Sequence, residues 1–354
     1  MTPSSGDPGG WPGPGPAPEG ADPAAGTPAA GEPGPGGGWP EQEGAGCHPP
    51  APGDQGGRGR LGQTGRPGVW AGPGGSLWVL SAAATRQADR RAMALGLDGL
   101  VMMETAGRTA AALLWRLAGP FTPRRPVVVL AGAGNNGGDG MVLARWLARW
   151  AGPGAVEVFL LASPGRLRGE AAVQWSLLGA AGVPVTALAD EPAGGEGLGG
   201  RGPVAQLPDE PAGGDGPGGR EPVAQAAGSL PPDAFLDRLG AAVARAPVVV
   251  DALLGVGARG PLRPLAARAL EVVSASGVPV FALDLPSGLD ADTGEAGAAV
   301  PRARWTVTFG AVKWGLLLGQ GPERAGRVFV ADIGWPPGVA GRGPAPEPAG
   351  GAAG

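Results

Sequence analysis

Three short polar motifs in this 354-residue chain each follow directly on an apolar run. Gly132-Ala-Gly134-Asn135-Asn136-Gly137-Gly138-Asp139-Gly140 comes after Val127-Val-Val-Leu-Ala131. Asp251-Ala-Leu-Leu-Gly255-Val256-Gly257-Ala258-Arg259-Gly260-Pro261 comes after Val248-Val-Val250, and Asp284-Leu-Pro286-Ser287-Gly288-Leu-Asp290 after Val280-Phe-Ala-Leu283. A Gly-rich turn leading into a helix N-terminus suits a phosphate, through backbone N–H groups and the helix dipole. The two amides and the carboxylate of the first motif go beyond what a phosphate loop requires. In the second, the glycines permit close approach of a ligand to a strand-end carboxylate. The third joins a carboxylate, a rigid Pro turn and a hydroxyl. Together the motifs offer amide, carboxylate and hydroxyl oxygens, a hard donor set that suits an alkali or alkaline-earth cation better than a transition metal. Lys313 follows a fourth apolar run, Trp305-Thr-Val-Thr-Phe309. Semi-buried and opposite a carboxylate, a Lys serves as an acid or as an electrostatic partner.

Taken singly, each motif has a plainer explanation: a capping Asp, ordinary turn chemistry, a surface Lys. Scarcity weighs against these. The chain has 26 Arg and no Tyr, yet its two Asn (Asn135, Asn136) and its one Lys all fall inside the motifs. The first motif also contains a formal G-x-G-x-x-G. A nicotinamide dinucleotide fold of the dehydrogenase type wants an acidic residue at the end of the second strand, and that run ends Phe159-Leu-Leu-Ala162, with Glu157 too early.

Other chemistries lack material. The only Cys and only His are the neighbours Cys47 and His48, in a Pro/Gly segment, so a zinc site, a Ser-His-Asp triad or a core thiol nucleophile is not expected. A net charge of -4 gives no basic footprint for nucleic acid. No apolar run approaches the roughly 18 residues of a membrane span, and the acidic N-terminus fits no leader peptide, so the expectation is a cytoplasmic protein with no membrane partner.

The elements that must position the motifs emerge once the punctuating residues are set aside. Gly (71) and Pro (42) make up about 32% of the chain, but they concentrate in residues 1–75, 188–232 and 337–354. The first and last of these read as disordered tails. The middle one holds a 19-residue segment, 188–206, copied in tandem as 207–225 with 15 identities, and reads as a low-complexity duplicated insertion in a loop. Between them, residues 77–336 alternate strand and helix. Helices are predicted over 81–95 (Ser81 as N-cap), 100–117, 141–150, 169–181, 233–244 and 265–274. Strands are predicted over 126–131, 156–161, 183–187, 248–253, 278–283, 305–309 and 327–330. This is an α/β pattern: a Rossmann-like three-layer αβα sandwich around a mostly parallel central sheet, with every strand's carboxyl end, and hence every motif, on one edge.

At this point the chain resembles the NAD(P)H-hydrate epimerases, the YjeF N-terminal domain family, from about Leu80 to Pro336. The resemblance rests on Met102-Met103-Glu104-Thr105-Ala106-Gly107 (commonly LMENAG), the GNNGGDG loop, D-A-L-L-G-x-G, D-x-P-S-G-L-D and T-V-T-F-G-x-x-K. Thr105 stands where Asn is usual, and Ala311-Val312 precede Lys313 where a Pro is common. The resemblance implies an isomerase, an epimerase interconverting the R and S forms of hydrated NADH and NADPH (NADHX, NADPHX) at C6 of the nicotinamide ring. It implies that Asn135, Asn136, Gly137, Gly138, Asp139 and the stretch Gly255, Val256, Gly257, Ala258, Arg259, Gly260, Pro261 bind this substrate, with Asp284 touching it too. It also implies one K⁺ per subunit on Asn136, Asp251 and Ser287, a homodimer, and a dehydratase of the same pathway supplied by another protein. C6 is then a hemiaminal carbon whose inversion needs a proton-transfer pair and no redox group, for which Asp284 is assigned as acid/base and Lys313 as its partner. The alternative is a non-catalytic YjeF-type nucleotide-binding or scaffolding module; such a module is expected to lose residues like Asp284 and Asn136, and both are here.

Overall fold

The run Val127-Val-Val-Leu-Ala131 is apolar without alternation because both of its faces are covered. Val127, Val129 and Ala131 lie in one core with Met102, Leu114, Leu143 and Leu178, while Val128 and Leu130 lie in a second with Phe235, Leu239, Leu270 and Val273. A strand with two buried faces implies helices above and below it.

The computed structural model describes residues 78–190, 229–258, 260 and 262–340. In chain order the strands and α-helices are β1 (Val79–Leu80), α1 (Ala82–Ala94), α2 (Gly99–Ala118), β2 (Val127–Ala131), α3 (Asn135–Ala151), β3 (Val156–Leu160), α4 (Gly169–Ala180), β4 (Val185–Leu188) and β5 (Ser229–Leu230). There follow α5 (Pro232–Val243), β6 (Val249–Ala252), α6 (Pro264–Ala275), β7 (Val280–Leu283), β8 (Trp305–Phe309), β9 (Val312–Lys313), α7 (Gly321–Ala325) and β10 (Arg327–Ala331). Eight strands form one sheet in the order β10-β8-β7-β6-β2-β3-β4-β5, every pairing parallel. With α2, α3 and α4 contributing to one core and α5 and α6 to the other, this is the three-layer α/β sandwich expected. The Pro/Gly segment 1–75, the body of the duplicated insertion and the end of the tail lie outside the described residues.

Three details differ from the sequence expectation. The helix after β2 begins at Asn135, six residues before the predicted start, so most of the GNNGGDG motif is helix and not loop. The described region also runs past residue 336: Ala340 is buried with Leu80 and Ala311. Finally, β1 and β9 form a two-stranded parallel sheet of their own, with Leu80 opposite Lys313. Two-residue strands leave no periodic signal.

The chain runs outward from β2 through β3, β4 and β5, then returns to lay β6 on the other side of β2. The crevice beyond the carboxyl ends of β2 and β6 is therefore the topological switch point, where open parallel sheets bind ligands.

Candidate active site

The early start of α3 has a packing cause and not a propensity one, because its first six residues include three glycines, which are poor helix formers. A Cβ on Gly137 would sit 1.9 Å from the Gly132 carbonyl oxygen, and one on Gly140 would sit 2.6 Å from Ala252 Cβ. Only hydrogen at these positions lets the helix press against the ends of β2 and β6. Pressed there, Asn136 turns its side chain into the seam between strands and donates from Nδ2 to the carbonyls of Leu254 (2.9 Å) and Leu283 (3.2 Å). Its Oδ1 is buried with no hydrogen-bond partner. Asn135 is exposed, Gly137 and Gly138 are buried, and Gly134, the N-cap, supplies no side-chain cap.

Asp251 is the third residue of β6 and is buried. Its Oδ1 accepts from Ser287 Oγ at 2.5 Å and its Oδ2 from Ser287 N at 2.8 Å, while the Leu254 amide donates to Ser287 Oγ at 2.9 Å. One carboxylate thus fixes the turn after β7 and the loop after β6 against each other. Burial pushes the Asp251 carboxyl up, and the hydrogen bonds from Ser287 and Leu253 pull the other way.

Asp284, directly after β7, has φ +64°, a left-handed conformation uncommon outside glycine. Such a residue costs on the order of 1–3 kcal/mol and persists only where its surroundings over-determine it. Here they do. Oδ1 accepts from Lys313 Nζ at 2.5 Å, Oδ2 accepts from Val256 N at 2.9 Å, and Thr308 Oγ1 lies 3.4 Å from Oδ1. Lys313 is 1% exposed and uses all three ammonium donors, the other two on Thr308 Oγ1 (3.0 Å) and the Phe309 carbonyl (2.8 Å). A buried ion pair survives only when its remaining hydrogen-bonding capacity is met in this way.

Asp139, the fifth residue of α3, is the third carboxyl. Burial holds it well above the usual carboxylate range, with Asp284 and Asp89 adding to the rise and Lys313 opposing it. Asp139 is therefore biased toward its protonated form. A methyl on Gly255 would lie 3.0 Å from Asp284 Oδ2 and 3.3 Å from Asn136 Cβ, so this glycine leaves open the space that both side chains border. Gly257 and Ala258 continue the loop in the open, Gly260 has φ +77°, and Arg259 and Pro261 lie outside the described residues.

The structure thus brings Asn136, Asp139, Asp251, Gly255, Val256, Asp284, Ser287 and Lys313 to one sheet edge. Sequence reasoning missed Thr308, the carbonyls of Leu254, Leu283 and Phe309, and two residues of α1, Arg86 and Asp89. Backbone carbonyls carry no sequence signal; Thr308 stands inside the T-V-T-F-G run and was legible only as a strand residue. Glu157 makes an ion pair with Arg245 at the far end of β3, in keeping with its dismissal as a ribose ligand. A separate cavity of about 470 Å³ opens at the amino ends of β7 and β8, between Val280, Val300, Arg302, Arg304 and Arg324, and contains none of the motif residues. The convergence of polar groups, not the size of the hollow, locates the site.

Met102 to Gly107 lie in α2 and serve packing. A Cβ on Gly138 would be 2.7 Å from Met103 Sδ, and Glu104 accepts from Trp146 Nε1 at 2.7 Å and pairs with Arg145, tying α2 to α3. Thr105, where the resemblance expects Asn, is half-buried and bonds back to the Val101 carbonyl at 2.8 Å.

Comparison with known proteins places this geometry. Residues 99–315 match the family model described as "YjeF-related protein N-terminus". A bifunctional NAD(P)H-hydrate repair enzyme Nnr from Salinibacter ruber is 38% identical over 263 residues, which is 73% of this chain but 41% of that protein. An NAD(P)H-hydrate epimerase from Rhodopirellula baltica is 34% identical over 252 residues, 71% of this chain and 82% of that one. Another, from Pirellula staleyi, is 34% identical over 254 residues, 71% of this chain and 90% of that one. The match covers the motif-bearing strand ends from β2 to β9, and the chain belongs to the YjeF-related protein N-terminus family.

Proposed function

We propose that this chain is an NAD(P)H-hydrate epimerase, an isomerase that interconverts the R and S forms of NADHX and NADPHX. The observation that carries the reading is the buried Lys313–Asp284 pair, whose second carboxylate oxygen is held by the Val256 amide beside the start of α3. The first turn of a 17-residue helix, without a side-chain cap, supports binding of the substrate's phosphates. At C6 either the hydroxyl departs with acid assistance and water returns on the other face, or the ring opens to an aldehyde and recloses. Both routes need one group that gives a proton and one that takes it. Asp284 takes the acid/base role, with Lys313 fixing its carboxylate. Asp139, biased toward its protonated form, is suited to give a proton or to hydrogen-bond the departing oxygen.

The donor set fits K⁺. Asn136 Oδ1 is a buried oxygen without a partner, and the oxygens of Asp251 and Ser287 belong to the same seam through the Leu254 backbone. Asn136, Asp251 and Ser287 would hold the ion, which would supply positive charge at the loop after β6. Exposed apolar side chains on α2 and α4, Val101, Val173 and Leu177 among them, support a homodimer. The Salinibacter ruber relative is bifunctional by name, which supports a dehydratase acting on the same substrate.

The test is chromatographic. One NADHX epimer incubated with the protein is expected to yield the other, faster in KCl than in NaCl. Asp284→Asn keeps the left-handed backbone accessible but removes the acid/base group, and the expected loss is about 10²-fold or more. A variant rate near wild type overturns the Asp284 assignment; no interconversion by wild type overturns the epimerase.

A further inference from the structure

Outside the strand-end motifs, the first helix also reaches the site, and it does so through hydrogen bonds far apart in sequence. Helix α1 is fixed along its whole length. At its start β1 pairs with the strand that carries Lys313, and Ala82 N donates to Asp292 Oδ1 at 2.6 Å. In its middle Asp89 Oδ1 accepts from Trp335 Nε1 at 3.1 Å, and near its end Arg91 Nη1 donates to the Val339 carbonyl at 3.3 Å.

Arg86 precedes Asp89 by three residues and so shares its face of the helix. From there its Nη1 donates to the Val256 carbonyl at 2.8 Å. Val256 is therefore gripped at both backbone groups, its carbonyl by Arg86 and its N–H by Asp284 Oδ2. Leu254, two residues before it, is held by Ser287 and Asn136, but the immediate neighbours contribute no side chains. Gly255 and Gly257 flank it, and a Cβ on Gly257 would meet nothing within 4 Å. Side-chain packing can hold Val256 in place, but the orientation of its two peptide groups depends on these hydrogen bonds.

We propose that Arg86 is a positioning residue that latches the loop of residues 254–258 over Asp284, making α1 a wall of the active site. This rests on the epimerase reading for its kinetic consequence, but not for the latch itself. With the latch closed, the Val256 amide stays aimed at the Asp284 carboxylate. Without it, the loop leaves and Asp284 loses one of its two close donors.

The experiment compares the full chain with Arg86→Met, Arg86→Lys and Arg91→Met, using hydrogen–deuterium exchange of the 252–258 peptide and steady-state epimerisation. Arg86→Met is expected to raise exchange in that peptide roughly tenfold, the scale of one charge-assisted hydrogen bond, and to lower kcat by a similar factor with KM changed far less. Arg86→Lys restores part of both. Arg91→Met removes another anchor of the same helix, and it should leave the peptide's exchange as in wild type. Unchanged exchange in Arg86→Met, or an equal rise in Arg91→Met, overturns the latch. Should Arg86→Met fail to fold, Arg86→Lys and Arg91→Met decide the same question. If wild type shows no epimerisation, the functional reading falls while the exchange comparison still tests the latch.

Discussion

Asp139 and Asp284 are carboxyls of one site with opposite environments. Asp284 meets an ammonium and an amide, whereas Asp139 meets apolar burial and the charge of other carboxylates. A carboxyl whose folded pKa lies above its unfolded value near 3.8 binds its proton more tightly in the native state, so the stability it contributes is full below 3.8 and is lost as pH rises through the folded pKa. Asp251 acts in the same direction, moderated by Ser287. Asp139→Asn removes the titration while keeping the shape, so the variant should gain stability over wild type as pH rises above about 4, most at pH 8. Urea unfolding at pH 4, 6 and 8 checks this, and a difference that shrinks with rising pH contradicts it. At this scale the sequence was informative where residue types are rare: Asn136 and Lys313 stood out against 26 Arg, and both sit in the hydrogen-bond network. It was silent where backbone does the work, as with the carbonyls that receive Asn136 Nδ2.

Among the elements, α3 departs furthest from its sequence expectation. Gly-rich runs read as turns because glycine frees the backbone, but the glycines of this motif are needed for the absence of a side chain. Gly137 shows the difference from Gly134. Gly137→Ala would place a methyl 1.9 Å from the Gly132 carbonyl oxygen, and is expected to cost 1–3 kcal/mol or more, on the order of other overpacked sites. Gly134→Ser meets nothing within 4 Å at an N-cap whose backbone is already extended, so stability should rise by about a few tenths of a kcal/mol. The same hydroxyl would occupy the helix N-terminus offered to phosphate, and KM should increase. Denaturation midpoints paired with KM separate the two effects; a Gly134→Ser enzyme with unchanged KM would show that the phosphate does not lie there. The two-residue strands β1 and β9 were illegible for another reason, since their pairing is set wholly by tertiary context.

At the scale of the whole molecule, alternating apolar runs and amphipathic segments sufficed to imply one parallel sheet with all its motifs on one edge. Strand order was not in the pattern; only the structure shows that β2 and β6 are neighbours and that Asn136 therefore meets the loop after Asp251. The ties of α1 add a temporal consequence. The large sheet grows from strands that mostly succeed one another along the chain, but the bonds from α1 to Val256, Asp292, Trp335 and Val339 close separations of 170 to 248 residues. Contacts this distant must meet the entropy of closing their intervening chain, and they form late unless the rest is already in place. On dilution from urea, the far-ultraviolet signal of the sheet should therefore recover first, with epimerase activity lagging in an interrupted-refolding assay. Simultaneous recovery would argue against that order. The small β1–β9 pairing then acts as a clock: the candidate site is complete only when the first strand finds the ninth.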